Sequence, residues 1–196
     1  MSALCRSLLL GFVLLTGSGS LVVAQFPMPL GHQETDTKSA DIRELVSKYC
    51  RLDYEGARLD PSGWPKVEPL VSWRTNPDYT HIDVIARYTV DAEPASNHGK
   101  YAVTVHYRLL GSYAVGMGYS REAPGSVQDV DYTVTGTNGE WRISDADNNV
   151  PHPSRAAMLK WLNDKLSATQ EDESAKTLYK DALRQLQAQP ASPFAK

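Results

Sequence analysis

Cysteine is nearly missing from this chain: of 196 residues, only Cys5 and Cys50 carry a thiol. Cys5 stands in an apolar N-terminal segment of the kind removed on export. Cys50 is then left without a partner for an intramolecular disulfide, and it cannot build a structural zinc site alone. Phenylalanine is almost as scarce, since beyond that segment only Phe26 and Phe194 occur, both near the ends. Every ring inside the predicted domain is therefore Tyr or Trp, which bury a ring while keeping a polar atom bonded. The five histidines fall in no His-x-His or His-Glu-x-x-His spacing, so no metal is expected. The glycines from Gly111 to Gly118 have no Lys-Ser/Thr after them and read as a hairpin connection, not a phosphate loop. No mature asparagine lies in an Asn-x-Ser/Thr acceptor, which favours a bacterial periplasm or exterior over a glycosylating route.

What is present begins with export. Arg6 precedes the apolar run Leu8 to Leu15, and Val22-Val23-Ala24 supplies small residues where a signal peptidase cuts. Residues 1–24 read as a signal peptide, because the apolar run is far shorter than the roughly 20 residues a bilayer span requires. Cleavage is expected between Ala24 and Gln25, giving a secreted or periplasmic protein. Cys5 lies before the apolar core, where a lipoprotein cysteine would follow it, so no lipid anchor is expected. The mature chain keeps 19 basic against 23 acidic residues with signs interspersed, a surface suited neither to nucleic acid nor to anionic membrane. Its length fits one domain able to bury a core without staples.

Residues 25–39 read as a flexible leader, 40–167 as the domain, and 168–196 as a C-terminal amphipathic helix and tail. Asp41 and Glu44 make a capping-box-like start, after which Ile42, Leu45, Val46, Tyr49 and Leu52 recur at helical spacing. A short helix is expected between Trp64 and Trp73. From His81 the period changes to two, with Ile82, Val84, Ala86, Tyr88 and Val90 on one face of a strand. Further strands carry Tyr101, Val103, Val105, Tyr107 and Leu109, then Val130, Tyr132 and Val134, then Trp141 and Ile143, joined by connections short enough for an antiparallel sheet. Two helices follow, one opened by Pro153-Ser154 and one carrying the stripe Ala175, Leu178, Tyr179, Ala182 and Leu186. The fold class is α+β: N-terminal helices on a curved antiparallel sheet, with additional C-terminal helices.

The run Tyr49-Cys50-Arg51-Leu52-Asp53, with Gly56-Ala57-Arg58-Leu59, Trp64, Pro69-Leu70 and Trp73, resembles the start of secreted bacterial members of the nuclear transport factor 2-like superfamily. Gly139-Glu140-Trp141-Arg142-Ile143 resembles their closing strand. The resemblance covers about residues 41 to 150 and implies a cone-shaped sheet. That superfamily includes ketosteroid isomerases, polyketide cyclases, binders and scaffolds, so fold alone assigns no activity.

On a helical wheel Asp53 falls among Ile42, Leu45, Val46, Tyr49 and Cys50. A carboxylate aimed into a core needs donors or a proton, which describes both a structural network and a tuned general base. Tyr49, Asp53, Tyr88, Tyr107, Tyr132 and Trp141 are the candidate ligand-binding set, and Tyr101 shares their face. The leading expectation is a non-catalytic exported module that holds a small apolar or amphipathic ligand, or docks a partner protein, through a Tyr/Trp-lined cone. The alternative, which the resemblance implies, is an isomerase, cyclase or dehydratase in which Asp53 moves a proton while Tyr49, Tyr88 or Tyr132 donates to an oxyanion. No cofactor is expected, and a homodimer is a further alternative because of the extra C-terminal stripe. The other sheet face, with Asp83, Arg87, His106, Arg108, Asp129, Asp131 and Arg142, reads as solvated cross-strand pairs. Asp145-x-Asp147-x-Asn149 begins like a calcium loop, but Val150 replaces the turn glycine and Ala156 the bidentate glutamate, so it reads as a polar turn.

Overall fold

The computed structural model describes residues 31–91, 95–97, 99–137, 140–168 and 172–189. The expected signal peptide and the C-terminal tail lie outside them. The first helix, α1 (Gly31–Tyr54), starts ten residues before the Asp41 expected from the capping pattern. No Pro or Gly interrupts the stretch from His32 onward, so nothing local stops the helix from extending. Ile42, Val46, Tyr49 and Cys50 are its buried stripe. A short helix α2 (Trp64–Val67) passes into a 3-10 turn, Glu68–Leu70, in the segment expected to be a proline-interrupted helix.

Among the described residues six strands form one antiparallel sheet: β1 (His81–Val90), β2 (Ala95–Asn97), β3 (Lys100–Ala114), β4 (Gly118–Arg121), β5 (Val127–Thr137) and β6 (Glu140–Ala146). The order β1-β3-β5-β6, with β2 and β4 both paired to β3, makes the long β3 its spine. Helices α3 (Arg155–Ser167) and α4 (Glu173–Ala188) follow. Ser154 caps α3 by accepting the Ala157 N–H at 3.1 Å, and Asp172 caps α4 by accepting the Ala175 N–H at 2.6 Å, as the local residue types lead one to expect. Among the described residues no helix is long and apolar enough to cross a membrane.

Two cores result. One lies between α1 and the sheet, where Val103, Val105, Tyr107, Val130, Tyr132, Val134 and Ile143 meet the α1 stripe. The other gathers Ile82, Val84, Tyr113, Tyr119, Met158, Leu162, Ala182, Leu183 and Leu186 under α3 and α4. β1 joins them, and the single apolar face expected for it is divided. Register shifts between Val84 and Arg87 reverse the alternation, so Ile82 and Val84 enter the second core while Ile85 and Tyr88 belong to the first. A bulge of this kind is set by pairing with β3 and by two helices arriving from elsewhere in the chain.

Candidate functional site

The site begins where α1 ends. Ala57 N–H donates to the Leu52 carbonyl at 2.9 Å and Gly56 N–H to the Asp53 carbonyl at 2.9 Å, the paired bonds of a Schellman turn, with Gly56 at φ +88°. The turn reverses the chain, and Arg58 comes back beside the last helical turn. Arg58 and Asp53 are each 1 % exposed, with Nη1 3.8 Å from Asp53 Oδ2. That separation is an ion pair without a hydrogen bond. The guanidinium donates instead to the Tyr49 hydroxyl at 2.9 Å, the Val150 carbonyl at 3.1 Å and the Asn149 carbonyl at 2.7 Å. Burial alone would lower the Arg58 pKa, but the neighbouring Tyr49 and Asp53 outweigh it and raise it, so Arg58 stays charged.

The second half of the site is the segment 149–154, which connects β6 to α3 and runs along the free edge of β1. The Pro151 and Pro153 carbonyls accept the Asp83 and Ile85 N–H groups, each at 3.0 Å. Because donation in those two bonds comes from β1, prolines without an N–H fit there at no loss. The intervening residues face the other way. His152 N–H donates to Asp53 Oδ2 at 2.9 Å, and Ser154 N–H donates to the Tyr54 carbonyl at 2.8 Å. Asp53 and Arg58 thus clamp this segment between α1 and β1.

His152 is fully buried, with its ring stacked on Tyr107 at 4.0 Å and 6°. Gln128 donates its amide to Asp83 Oδ2 at 3.3 Å, which turns its oxygen to His152 Nε2 at 3.1 Å. Since an amide oxygen only accepts, the network assigns a proton to Nε2. Nδ1 then lies 3.6 Å from Asp53 Oδ2, and both Nδ1 and Asp53 Oδ1 lack a hydrogen-bond partner among the described residues. Beside them the Tyr107 and Tyr132 hydroxyls bond at 2.8 Å, and Cys50 Sγ lies 3.3 Å from the Tyr107 hydroxyl. Burial pushes the Cys50 thiol up to about 12 and, as the leading cause, raises Tyr49, Tyr107 and Tyr132 well above the phenol range. All four groups are protonated at working pH and serve as neutral bonding partners, which leaves Cys50 unreactive.

Of the residues expected to line a ligand site, Tyr49, Asp53, Tyr107 and Tyr132 come together, each no more than 1 % exposed. Tyr88 sits at the margin, half-buried, with ring centroids 6.3 Å from Tyr107 and 5.8 Å from Tyr54. Trp141 packs edge-on against Tyr101 at 5.3 Å, toward the other end of the β5–β6 pair. Arg58, His152 and Gln128 were not singled out from the sequence as site residues. A local hint existed in Gly56 followed by Arg58 and in the Pro-His-Pro run, but neither shows which distant carboxylate it reaches.

Asp83, expected on the solvated sheet face, is instead 5 % exposed and faces Gln128, because the bulge in β1 turns it inward. His106 is outward as expected, with Nδ1 2.7 Å from Asp129 Oδ1 and Nε2 3.0 Å from Asp91 Oδ1. Two carboxylate acceptors require both ring nitrogens to carry protons. The bond to Asp129 first, then that to Asp91, raises the His106 pKa above 6.5. A raised folded-state pKa gives stability that is complete below the unfolded value and is lost as pH rises through the folded one. The urea midpoint of the native protein should therefore exceed that of His106→Gln at mildly acidic pH, and the gap should narrow as pH climbs past the raised value. A gap independent of pH would contradict the paired imidazolium. Among the described residues no cluster of three His, Cys, Asp or Glu side chains could hold a metal. The Asp145–Asn149 stretch instead presents its Asn149 carbonyl to Arg58.

Comparison with protein-family models, with curated proteins and with solved structures finds no match for this chain.

Proposed function

We propose that the chain is an exported, non-catalytic binding module of nuclear transport factor 2-like type, with its sheet curved into a cone over α1. It takes up a small apolar or amphipathic ligand or a partner protein. The observation that carries the non-catalytic half of this reading is the closure of its polar interior. Asp53, Arg58, His152, Tyr49, Tyr107 and Tyr132 are each at most 1 % exposed and are tied to one another or to the main chain, so substrate has no route to the carboxylate. A catalytic group must touch its substrate. Interior Tyr and Asp side chains here brace the fold, and ligand contact belongs to its outer margins.

The alternative is an isomerase, cyclase or dehydratase using Asp53. It is favoured by one feature, the approach of His152 Nδ1 to within 3.6 Å of Asp53 Oδ2 while Asp53 Oδ1 and His152 Nδ1 lack hydrogen-bond partners among the described residues. Asp53→Asn separates the two. A bracing carboxylate should lose roughly 1 to 3 kcal/mol on substitution while ligand response persists. Denaturation midpoints, and tryptophan fluorescence titrated with a panel of apolar carbon acids, read both quantities. An equally or more stable Asn variant that has lost ligand response or turnover would move the assignment to the enzyme.

A further inference from the structure

A groove of about 640 Å³ opens between the turn that leads into α2 and the segment 74–79 that leads toward β1. The turn contributes Pro61 and Trp64 to its lining, and the segment contributes Pro77 and Tyr79. Both rings are anchored: Trp64 packs partly on the first core and Tyr79 on the second, and each keeps part of its surface exposed. The two walls are also tied to fixed groups. Trp64 Nε1 donates to the Arg74 carbonyl at 3.4 Å. Asn76 Nδ2 donates to the Arg58 carbonyl at 2.8 Å, and Asn76 Oδ1 accepts from Arg58 Nε at 3.4 Å, so the segment rests on the buried arginine. The groove is therefore preformed, and its volume falls in the span of roughly 300 to 1,000 Å³ found for small-molecule sites.

Its charged side chains are of two complementary kinds. Arg74 and Asp78 both line the groove and are exposed, and neither makes a side-chain hydrogen bond or an ion pair among the described residues. A guanidinium only donates and an ionised carboxylate only accepts, so a ligand that meets both must offer acceptors and donors together. Hydroxyl groups do. The two charges are opposite and equal, which favours a neutral ligand over an ion. A polyproline segment, another occupant of aromatic grooves, offers carbonyls but few N–H groups, so it needs donors from the groove. The indole N–H that would serve it is already given to the Arg74 carbonyl, and Asp78 would be left without a donor.

We propose that this groove binds a neutral oligosaccharide, with the C–H faces of its sugar rings against Trp64 and Tyr79 and its hydroxyls donating to Asp78 and accepting from Arg74. This rests on the binding-module reading and names its site and ligand class. A cavity of roughly 150 Å³ accepts one benzene ring, so the groove has room for more than one sugar. The aromatic rings supply apolar area without a charge, and the two charged side chains set the orientation of the hydroxyls.

Titrating the isotope-labelled protein with cellotriose, maltotriose and triacetylchitotriose, and following the Trp64 indole and the backbone amides, tests the site. At least one trisaccharide should shift the Trp64 indole together with Thr75, Asn76, Asp78 and Tyr79. Sorbitol, which has the hydroxyls but no ring face, should shift none of them, and added sodium chloride should leave the affinity unchanged. Asp78→Asn and Arg74→Gln, at exposed positions without partners, should each weaken the trisaccharide roughly tenfold, the value of one hydrogen bond to a charged group, without moving the melting temperature. Trp64→Ala should abolish binding, and the two exposed variants carry the test should it unfold. No shift in the groove with any of the three sugars, an equal response to sorbitol, or unchanged affinity in both Asp78→Asn and Arg74→Gln overturns the proposal. So does a decaproline peptide that shifts these resonances where the sugars do not. Shifts by apolar carbon acids at other margins alone overturn the groove while leaving the binding-module reading intact. Asp53-dependent turnover of a carbon acid would instead overturn that reading.

Discussion

Replacing Arg58 with alanine is expected to remove about 3 to 5 kcal/mol of folding free energy, the usual result of stripping one partner from a buried ion pair. Three things are lost together. Asp53 keeps a buried charge with no cation beside it, and the Tyr49 hydroxyl and the Asn149 and Val150 carbonyls each lose a donor. The segment that carries His152 is then held to α1 by two main-chain N–H bonds, from His152 to Asp53 and from Ser154 to Tyr54. Against a typical domain stability of about 5 to 15 kcal/mol, this loss would leave a visibly unfolded fraction in mild urea. The double variant Arg58→Ala/Asp53→Asn should be destabilised by less than the sum of the two single variants, because removing the anion relieves the orphaned charge. A single-variant loss under about 1 kcal/mol, the scale of an exposed pair, would show that the clamp does not hold.

Leu186→Ala should cost about 2 to 5 kcal/mol, the range for a fully buried leucine. The reason is that α4 is core. Ala182, Leu183 and Leu186 are buried against Tyr113, Tyr119, Met158 and Leu162, and the Tyr179 ring lies 6.3 Å from Tyr113 and 6.1 Å from Trp161. Polar contacts fix its C-terminal end, with Arg155 Nη2 donating to the Gln187 carbonyl at 3.1 Å. Truncation after Thr169 should expose Ile82, Val84 and Tyr113 and lower the melting temperature sharply. Thermal unfolding with light scattering measures both. If truncation leaves the melting temperature in place and only changes the oligomeric state, the stripe serves a partner subunit and not its own domain.

Both results depend on features that differ in how far they could be read from the chain. The apolar periods alone located α1, the inward faces of β3 and β5, and the two C-terminal helices, since each period reflects a local choice between the helical repeat and alternation. The opening of α3 at Pro153-Ser154 was legible for the same reason: a cap is made with residues three positions away. Asp53 was legible as an anomaly, because a carboxylate on an apolar stripe needs no partner to be conspicuous.

Its partners were not legible. The N–H that it accepts belongs to His152, 99 residues away, and Arg58 reaches it only because the turn at Gly56 reverses the chain. Gly63 shows the same dependence, since a Cβ there would lie 2.3 Å from the Ala57 carbonyl oxygen. The bulge in β1 is equally non-local, because it is set where α3 and α4 cover one face of the strand and α1 the other. By itself the sequence determined the composition of the interior: Tyr and Trp in place of Phe, a cysteine on the apolar stripe of α1, and a carboxylate among apolar residues. Only the tertiary structure decided whether that interior would be an open pocket or a closed network. That outcome depends on a main-chain segment arriving between α1 and β1, and on the hydrogen bonds that a single buried arginine completes.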